Sequence, residues 1–127
     1  MGILLHSMHP LYELTFSVDV KERWIIEYLQ FYFNLSENYE NSDREIITDV
    51  EYINCRYKDN LFRTKFDIEH ITGKMTSWII GIINDILFEH NVYVLHGASC
   101  VYKSKTLLLL GHKGVGKSTL LYKILTA

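Results

Sequence analysis

The spacing of apolar residues changes several times along the chain, and each change marks an element. Leu11, Leu14, Phe16 and Val18 are apolar, with Thr15 and Ser17 between the last three. This period of two predicts a strand over 11–18 with one wet face. Asp19-Val20-Lys21-Glu22 has the spacing of a capping box, Asp19 as N-cap and Glu22 three residues on. The helix it would open carries Val20, Trp24, Tyr28, Phe31 and Tyr32 on one stripe. Nothing polar converges on that stripe, so it reads as core rather than as a ligand platform. Asn34 to Asp43, rich in Asn, Ser, Glu and Asp, reads as a polar loop.

Ile46 to Arg56 and Leu61 to Ile68 are rich in Ile, Val, Tyr and Phe, and Lys58-Asp59-Asn60 between them suits a turn, so a hairpin is expected. Arg63, Lys65, Asp67 and Glu69 alternate with Phe62, Phe66 and Ile68, as a solvated face alternates with a buried one. Met75, Trp78, Ile79, Ile82, Ile83 and Ile86 recur with the helical period, with Thr72 and Gly73 marking the start. This helix must bury a broad apolar face, and the sheet that follows it in the chain is its expected cover.

The last third reads strand, turn, strand, loop, helix: Tyr93 to Tyr102, Lys103-Ser104-Lys105, an apolar and buried Thr106 to Leu110, then Gly111 to Ser118 and a helix over Ser118 to Leu125. Gly111-His112-Lys113-Gly114-Val115-Gly116-Lys117-Ser118 fits G-x-x-x-x-G-K-[ST], the loop that wraps nucleotide phosphates when a strand precedes it and a helix follows. The glycines allow positive φ and close approach to an anion. Successive backbone N–H groups and the positive end of the helix supply the field. Lys117 is the candidate for the β and γ phosphates, and the Ser118 hydroxyl for the Mg²⁺ carried by the nucleotide. Val115 and Thr119 complete the candidate nucleotide contacts, while His112 and Lys113 occupy free positions.

Composition narrows the classes around this motif. At 48% hydrophobic and 22% charged residues the chain is globular rather than disordered. A net charge of -2 without a long basic run gives nucleic acid no foothold. Cys55 and Cys100 stand far apart without metal spacing, which fits reduced thiols in a cytoplasmic protein. No apolar run reaches the roughly 18 residues of a membrane span. The start has no signal-peptide pattern. His6 and His9, beside Pro10 at an expected mobile terminus, receive no function.

The run Leu95-His96-Gly97-Ala98-Ser99, a hairpin turn, Leu107 to Gly111 and then Gly114-Val115-Gly116-Lys117-Ser118-Thr119-Leu120 resembles the catalytic domain of the HPr kinase/phosphorylase family, with His96 fifteen positions before Gly111. The resemblance covers about residues 92–127. It implies a fold similar to phosphoenolpyruvate carboxykinase and Mg-ATP-dependent phosphorylation of a serine hydroxyl on a protein or peptide. By the same resemblance His96 would stand beside the transferred phosphate as a catalytic residue. Two regions follow: a β-rich leader with two amphipathic helices over 1–90 and the start of a phosphate-loop core over 91–127. The fold class is α+β or α/β, with a mixed sheet that is incomplete. Family members carry an aspartate beyond the helix after the loop, and this chain ends ten positions after Lys117. The expectation is therefore a fragment, slow or inactive by itself, that associates with itself or with a complementing chain. Two other readings stay open: a non-catalytic nucleotide-sensing or peptide-binding module, with edge strands such as Leu61 to Ile68 adding a partner strand, and an unrelated phosphate-loop ATPase or GTPase.

Overall fold

The computed structural model describes residues 2–37, 42 and 44–127. The chain divides into two compact units, Met1–Val92 and Tyr93–Ala127. The architecture is mixed α+β. In the first unit six strands form one sheet in the order β3-β1-β2-β4-β5-β6. These are β1 (Gly2–Ser7), β2 (Thr15–Asp19), β3 (Leu35–Glu37), β4 (Arg44–Thr48), β5 (Tyr52–Tyr57) and β6 (Asn60–Lys65). Only β2 and β4 run parallel, joined across helix α1 (Arg23–Phe33); the other neighbours are antiparallel.

Strand β1 belongs to the stretch expected to be a mobile terminus. Ile3 and Leu5 pair with Val18 and Phe16 on the core side, and Leu5 is fully buried. The connection that follows explains why Leu11 to Leu14 is not strand. Ser7 N–H donates to Leu14 O at 2.8 Å, Leu14 N–H donates to Ser7 Oγ at 3.0 Å, and Ser7 Oγ donates to Tyr12 O at 3.2 Å. One serine thus satisfies the backbone of an irregular loop whose Leu14 still reaches the core.

The expected capping box does not form. Asp19 is the last residue of β2, in register with Gly2 and Ile47, so its backbone is committed to the ladder. Helix α1 opens at Arg23, with Glu22 extended before it and no side-chain cap. Its buried residues are Ile25, Ile26, Leu29 and Phe33, whereas Phe31 and Tyr32 of the expected stripe are exposed. The aliphatic arc is the one that points inward; Trp24 and Tyr28 flank it. The helix ends at Asn34 in the left-handed region, its N–H donating to Gln30 O. Of the expected polar loop, 35–37 is the edge strand β3, and 38–41 and 43 lie outside the described residues.

The expected hairpin is present over β5 and β6, with Lys58 at φ 51° in its turn. Ile46 to Arg56 is not one strand, because the Asp49 carboxylate accepts from the Glu51 and Tyr52 N–H groups and turns the chain between β4 and β5. The long helix starts earlier than Thr72. Asp67 is its N-cap, accepting from His70 N–H at 2.9 Å, and α2 (Ile68–His70) runs through a π-helical turn (Ile71–Met75) into α3 (Thr76–Glu89).

Ile71, Met75, Ile79, Ile82, Ile83 and Leu87 join Leu5, Phe16, Val18, Ile46, Ile53 and Cys55 of the sheet and the α1 arc in one buried cluster. The cover for α3 is therefore the sheet of its own unit, formed by strands that precede it in the chain. The opposite sheet face mixes polar Ser17, Asn54, Arg56, Arg63 and Lys65 with Leu4, Ile47 and Leu61.

In the second unit β7 (Gly97–Tyr102) pairs antiparallel with β8 (Lys105–Leu110), and α4 (Lys117–Thr126) follows. Residues 93–96, expected as strand, are irregular. The turn residues Lys103 and Ser104 both take positive φ, 47° and 61°. Ala98, Cys100, Leu107 and Leu109 share one half-buried face, and Leu121 and Ile124 of α4 are half-buried as well. β8 is not a fully buried strand: Leu108 and Leu110, on the other face, are 53% and 56% exposed.

Candidate phosphate-binding loop

Residues 111–116 link β8 to α4, and their backbone explains the glycines. Gly114 has φ 86° and Gly116 φ 94°, values open to glycine at no steric cost. A Cβ built on Gly111 would lie 2.8 Å from Val115 Cγ2, so the Val115 side chain closes over the bare Cα of Gly111. Val115 N–H turns back toward His112 O at 3.4 Å. Beyond Gly114 and Gly116, where a Cβ would point, no atom of the chain lies within 4 Å.

Helix α4 opens at Lys117 with Gly116 as its N-cap and no side-chain cap, and Leu120 N–H closes the first helical bond to Gly116 O at 2.9 Å. The first amides of a helix have no intrahelical acceptor, and without a capping side chain they remain available to an anion. Lys117 Nζ is folded over the loop, donating to Gly111 O at 2.6 Å and His112 O at 2.8 Å. A full positive charge is thus held inside the curve, with no carboxylate within ion-pairing distance among the described residues. Ser118 and Thr119 are exposed on the first turn, and the Ser118 hydroxyl has no hydrogen-bond partner among the described residues.

His96 immediately precedes β7. Gly97 is in register with Leu110, the last residue before the loop. His96 is exposed and forms no hydrogen bond among the described residues, in contrast to a histidine fixed in a core.

No family model, curated protein or solved structure matches the chain. Its chemistry is therefore read from the loop itself. Among the described residues no cluster of His, Cys, Asp or Glu could hold a metal ion unaided. A divalent cation at this loop would need the oxygens of a bound phosphate beside Ser118 Oγ, the arrangement by which Mg²⁺ enters as part of a nucleotide. Both cysteines are free, and no helix among the described residues is long and apolar enough to cross a membrane. His6 and His9 have structural partners: His6 Nδ1 lies 3.1 Å from Thr15 Oγ1, and His9 Nδ1 accepts from Leu11 N–H while its ring stacks on Tyr12.

A second concave feature escaped the sequence reading. A groove of about 670 Å³ lies beside the π-helical turn and includes Phe62, Glu69, Gly73, Lys74, Ser77 and Trp78. Its one sequence signal is Gly73, read above as a helix start and found instead inside a helix.

Proposed function

We propose that residues 111–119 bind the phosphates of ATP with its Mg²⁺, and that this chain is the nucleotide-binding part of a serine kinase of the HPr-kinase kind. The observation that carries the nucleotide reading is the loop backbone: Gly114 and Gly116 at positive φ, a helix start without a side-chain cap, and the Lys117 ammonium inside the curve. The kinase reading is supported by the resemblance around His96 to Gly97 and by the hairpin register that puts Gly97 beside Leu110, the last residue before the loop.

Mg-ATP would supply the γ-phosphoryl group. The backbone N–H groups around Gly114, Gly116 and Lys117 would hold the phosphates, Lys117 Nζ would exchange its two carbonyl acceptors for phosphate oxygens, and Ser118 Oγ would take a place on the metal. For transfer to serine, a bond forms between the acceptor oxygen and the γ phosphorus while the bond to the β-bridging oxygen breaks. His96 would accept the hydroxyl proton.

Thermal unfolding with and without Mg-ATP tests the nucleotide step. A ligand bound only to the native state stabilises by about 2.7 kcal/mol at one hundred times its Kd. The expected result is a rise in Tm for the wild type and for His96→Ala, and none for Lys117→Ala. Absence of a shift in the wild type overturns the reading. A shift with Mg-GTP as large as with Mg-ATP would favour a general phosphate-loop NTPase.

A further inference from the structure

The groove beside the π-helical turn adjoins an open sheet edge. β6 is last in the strand order, so one of its two edges has no neighbouring strand among the described residues. Phe66 N–H donates to Glu51 O at 2.7 Å, which sets the alternation along the β5–β6 ladder. Phe66, Thr64, Phe62 and Asn60 are the hydrogen-bonded positions, so Leu61, Arg63 and Lys65 turn their backbone groups outward. Lys65 O accepts from Asp67 N–H at 3.0 Å. What stays open is both groups of Leu61 and Arg63 and the N–H of Lys65.

The side of β6 that faces the helix carries the floor of the groove. Phe62 and Trp78 stack there with ring centroids 5.5 Å apart and planes 15° from parallel. Lys74 and Glu69 stand on the rim, neither with an ion-pair partner among the described residues. The π-helical turn that shapes the wall has side-chain hydroxyls at its carbonyls. Ser77 Oγ donates to Gly73 O, and Tyr28 OH and Thr76 Oγ1 share a hydrogen bond at 2.6 Å beside Thr72 O and Ile71 O, one of which accepts the remaining hydrogen. Such turns are rare and concentrate at functional sites. Gly73 has no positive φ, and a Cβ built on it meets nothing within 4 Å. The fold itself does not require this glycine, and it lines the groove.

We propose that the β6 edge and this groove dock an extended peptide. Its main chain continues the sheet at Leu61 and Arg63, one large apolar side chain lies on Phe62 and Trp78 between Lys74 and Glu69, and acidic side chains alternate toward Arg63 and Lys65. Unpaired N–H and C=O groups at strand spacing are matched by an extended polypeptide, and alternate side chains then read the groove. Charge decides against a second copy of this strand. Arg63, which stacks over Tyr52 at 3.9 Å, and Lys65 lie on the outer face, where a second antiparallel β6 centred on Arg63 would set arginine against arginine and an acidic peptide would not.

A randomised octapeptide display library, selected on the full chain and counter-selected on Gly73→Gln, tests this. Gln is a good helix former with open space at that position, so the variant should have a Tm at or above the wild-type value. Expected are peptides that alternate acidic residues with one Trp, Phe or Leu. Their affinity should fall at least tenfold for Gly73→Gln and for backbone N-methylated peptide, and should stay unchanged for Gly81→Ala and Lys117→Ala. In a Trp24→Phe background the remaining Trp78 should change its fluorescence on binding. Failure to enrich any peptide against the counter-target, or equal binding to Gly73→Gln, overturns the proposal. Because Lys117→Ala is silent here and decisive for Mg-ATP, failures of the two readings are distinguishable.

Discussion

Cys55 and Cys100 have the same chemistry and opposite surroundings. Cys55 is buried beside Ile46 and Phe62 of the neighbouring strands, and burial pushes its thiol up to about 12. Cys100 is half-buried on the hairpin. In Ellman's assay the native protein should react first at Cys100, and Cys55 only on unfolding. Above the ordinary thiol range the unfolded chain loses a proton that the folded chain keeps, so stability should decline as pH climbs toward about 12. At the acid end Asp49 and Asp67 contribute. Both carboxyls lie below the usual range, Asp49 through the Tyr52 and Glu51 N–H groups and Asp67 through the His70 N–H and imidazole. A depressed carboxyl stabilises above its unfolded pKa, and that contribution is lost as pH falls through the folded value. Asp67→Ala should therefore lower Tm near neutrality, and the difference from wild type should shrink as the pH is brought well into the acid range. Equal Tm values at neutral pH would show that the cap contributes nothing.

Two elements contain a local conflict that substitution can relieve. Gly81 lies inside α3 without positive φ and with open space where a Cβ would go, so Gly81→Ala should stabilise by about 0.5–1 kcal/mol in urea unfolding. The β7–β8 turn holds Lys103 and Ser104 at positive φ, a conformation that Asn-Gly adopts more readily. Lys103→Asn with Ser104→Gly should gain about 1 kcal/mol of hairpin stability, seen as slower amide exchange across β7 and β8. Gly97→Ala should act oppositely, because its Cβ would lie 2.8 Å from Leu109 O, a backbone atom that cannot move aside cheaply.

At the scale of the whole molecule the two units differ in how much they enclose. The first has a continuous buried cluster from Leu5 to Leu87, and Leu29→Ala at its centre should cost about 2–5 kcal/mol. A chain of residues 1–92 should unfold cooperatively by itself. In the second unit no residue between 93 and 127 is fully buried, and Val101, Leu108 and Leu110 expose one apolar face of the hairpin. A peptide of 93–127 should show a collapsed amide spectrum without dispersed strand signals, since so little apolar area offsets the entropy of ordering it. Dispersed signals would mean that the loop and hairpin are held by local interactions alone.

The candidate site was legible because its information is local. Gly114 and Gly116 need positive φ whatever surrounds them, Lys117 is placed by its position in the loop, and an apolar strand before and an amphipathic helix after are properties of neighbouring residues. The period of Met75 to Ile86 and the β5–β6 turn were legible on the same ground. What sequence misjudged depended on partners distant in the chain. Asp19 could have capped a helix, but pairing with Gly2 and Ile47 holds its backbone in the sheet. Phe31 and Tyr32 of the α1 stripe are exposed, and Ile25, Ile26 and Leu29 join the cluster of sheet and α3 side chains in their place. Sequence alone thus determined the glycine-rich turn, the charge at its centre and the periods of the long elements, all consequences of steric and hydrophobic rules acting within a few residues. Tertiary structure alone decided which sheet covers α3 and that β6 stands at an edge beside a π-helical turn, because each depends on strand order and register set by contacts far apart in the chain.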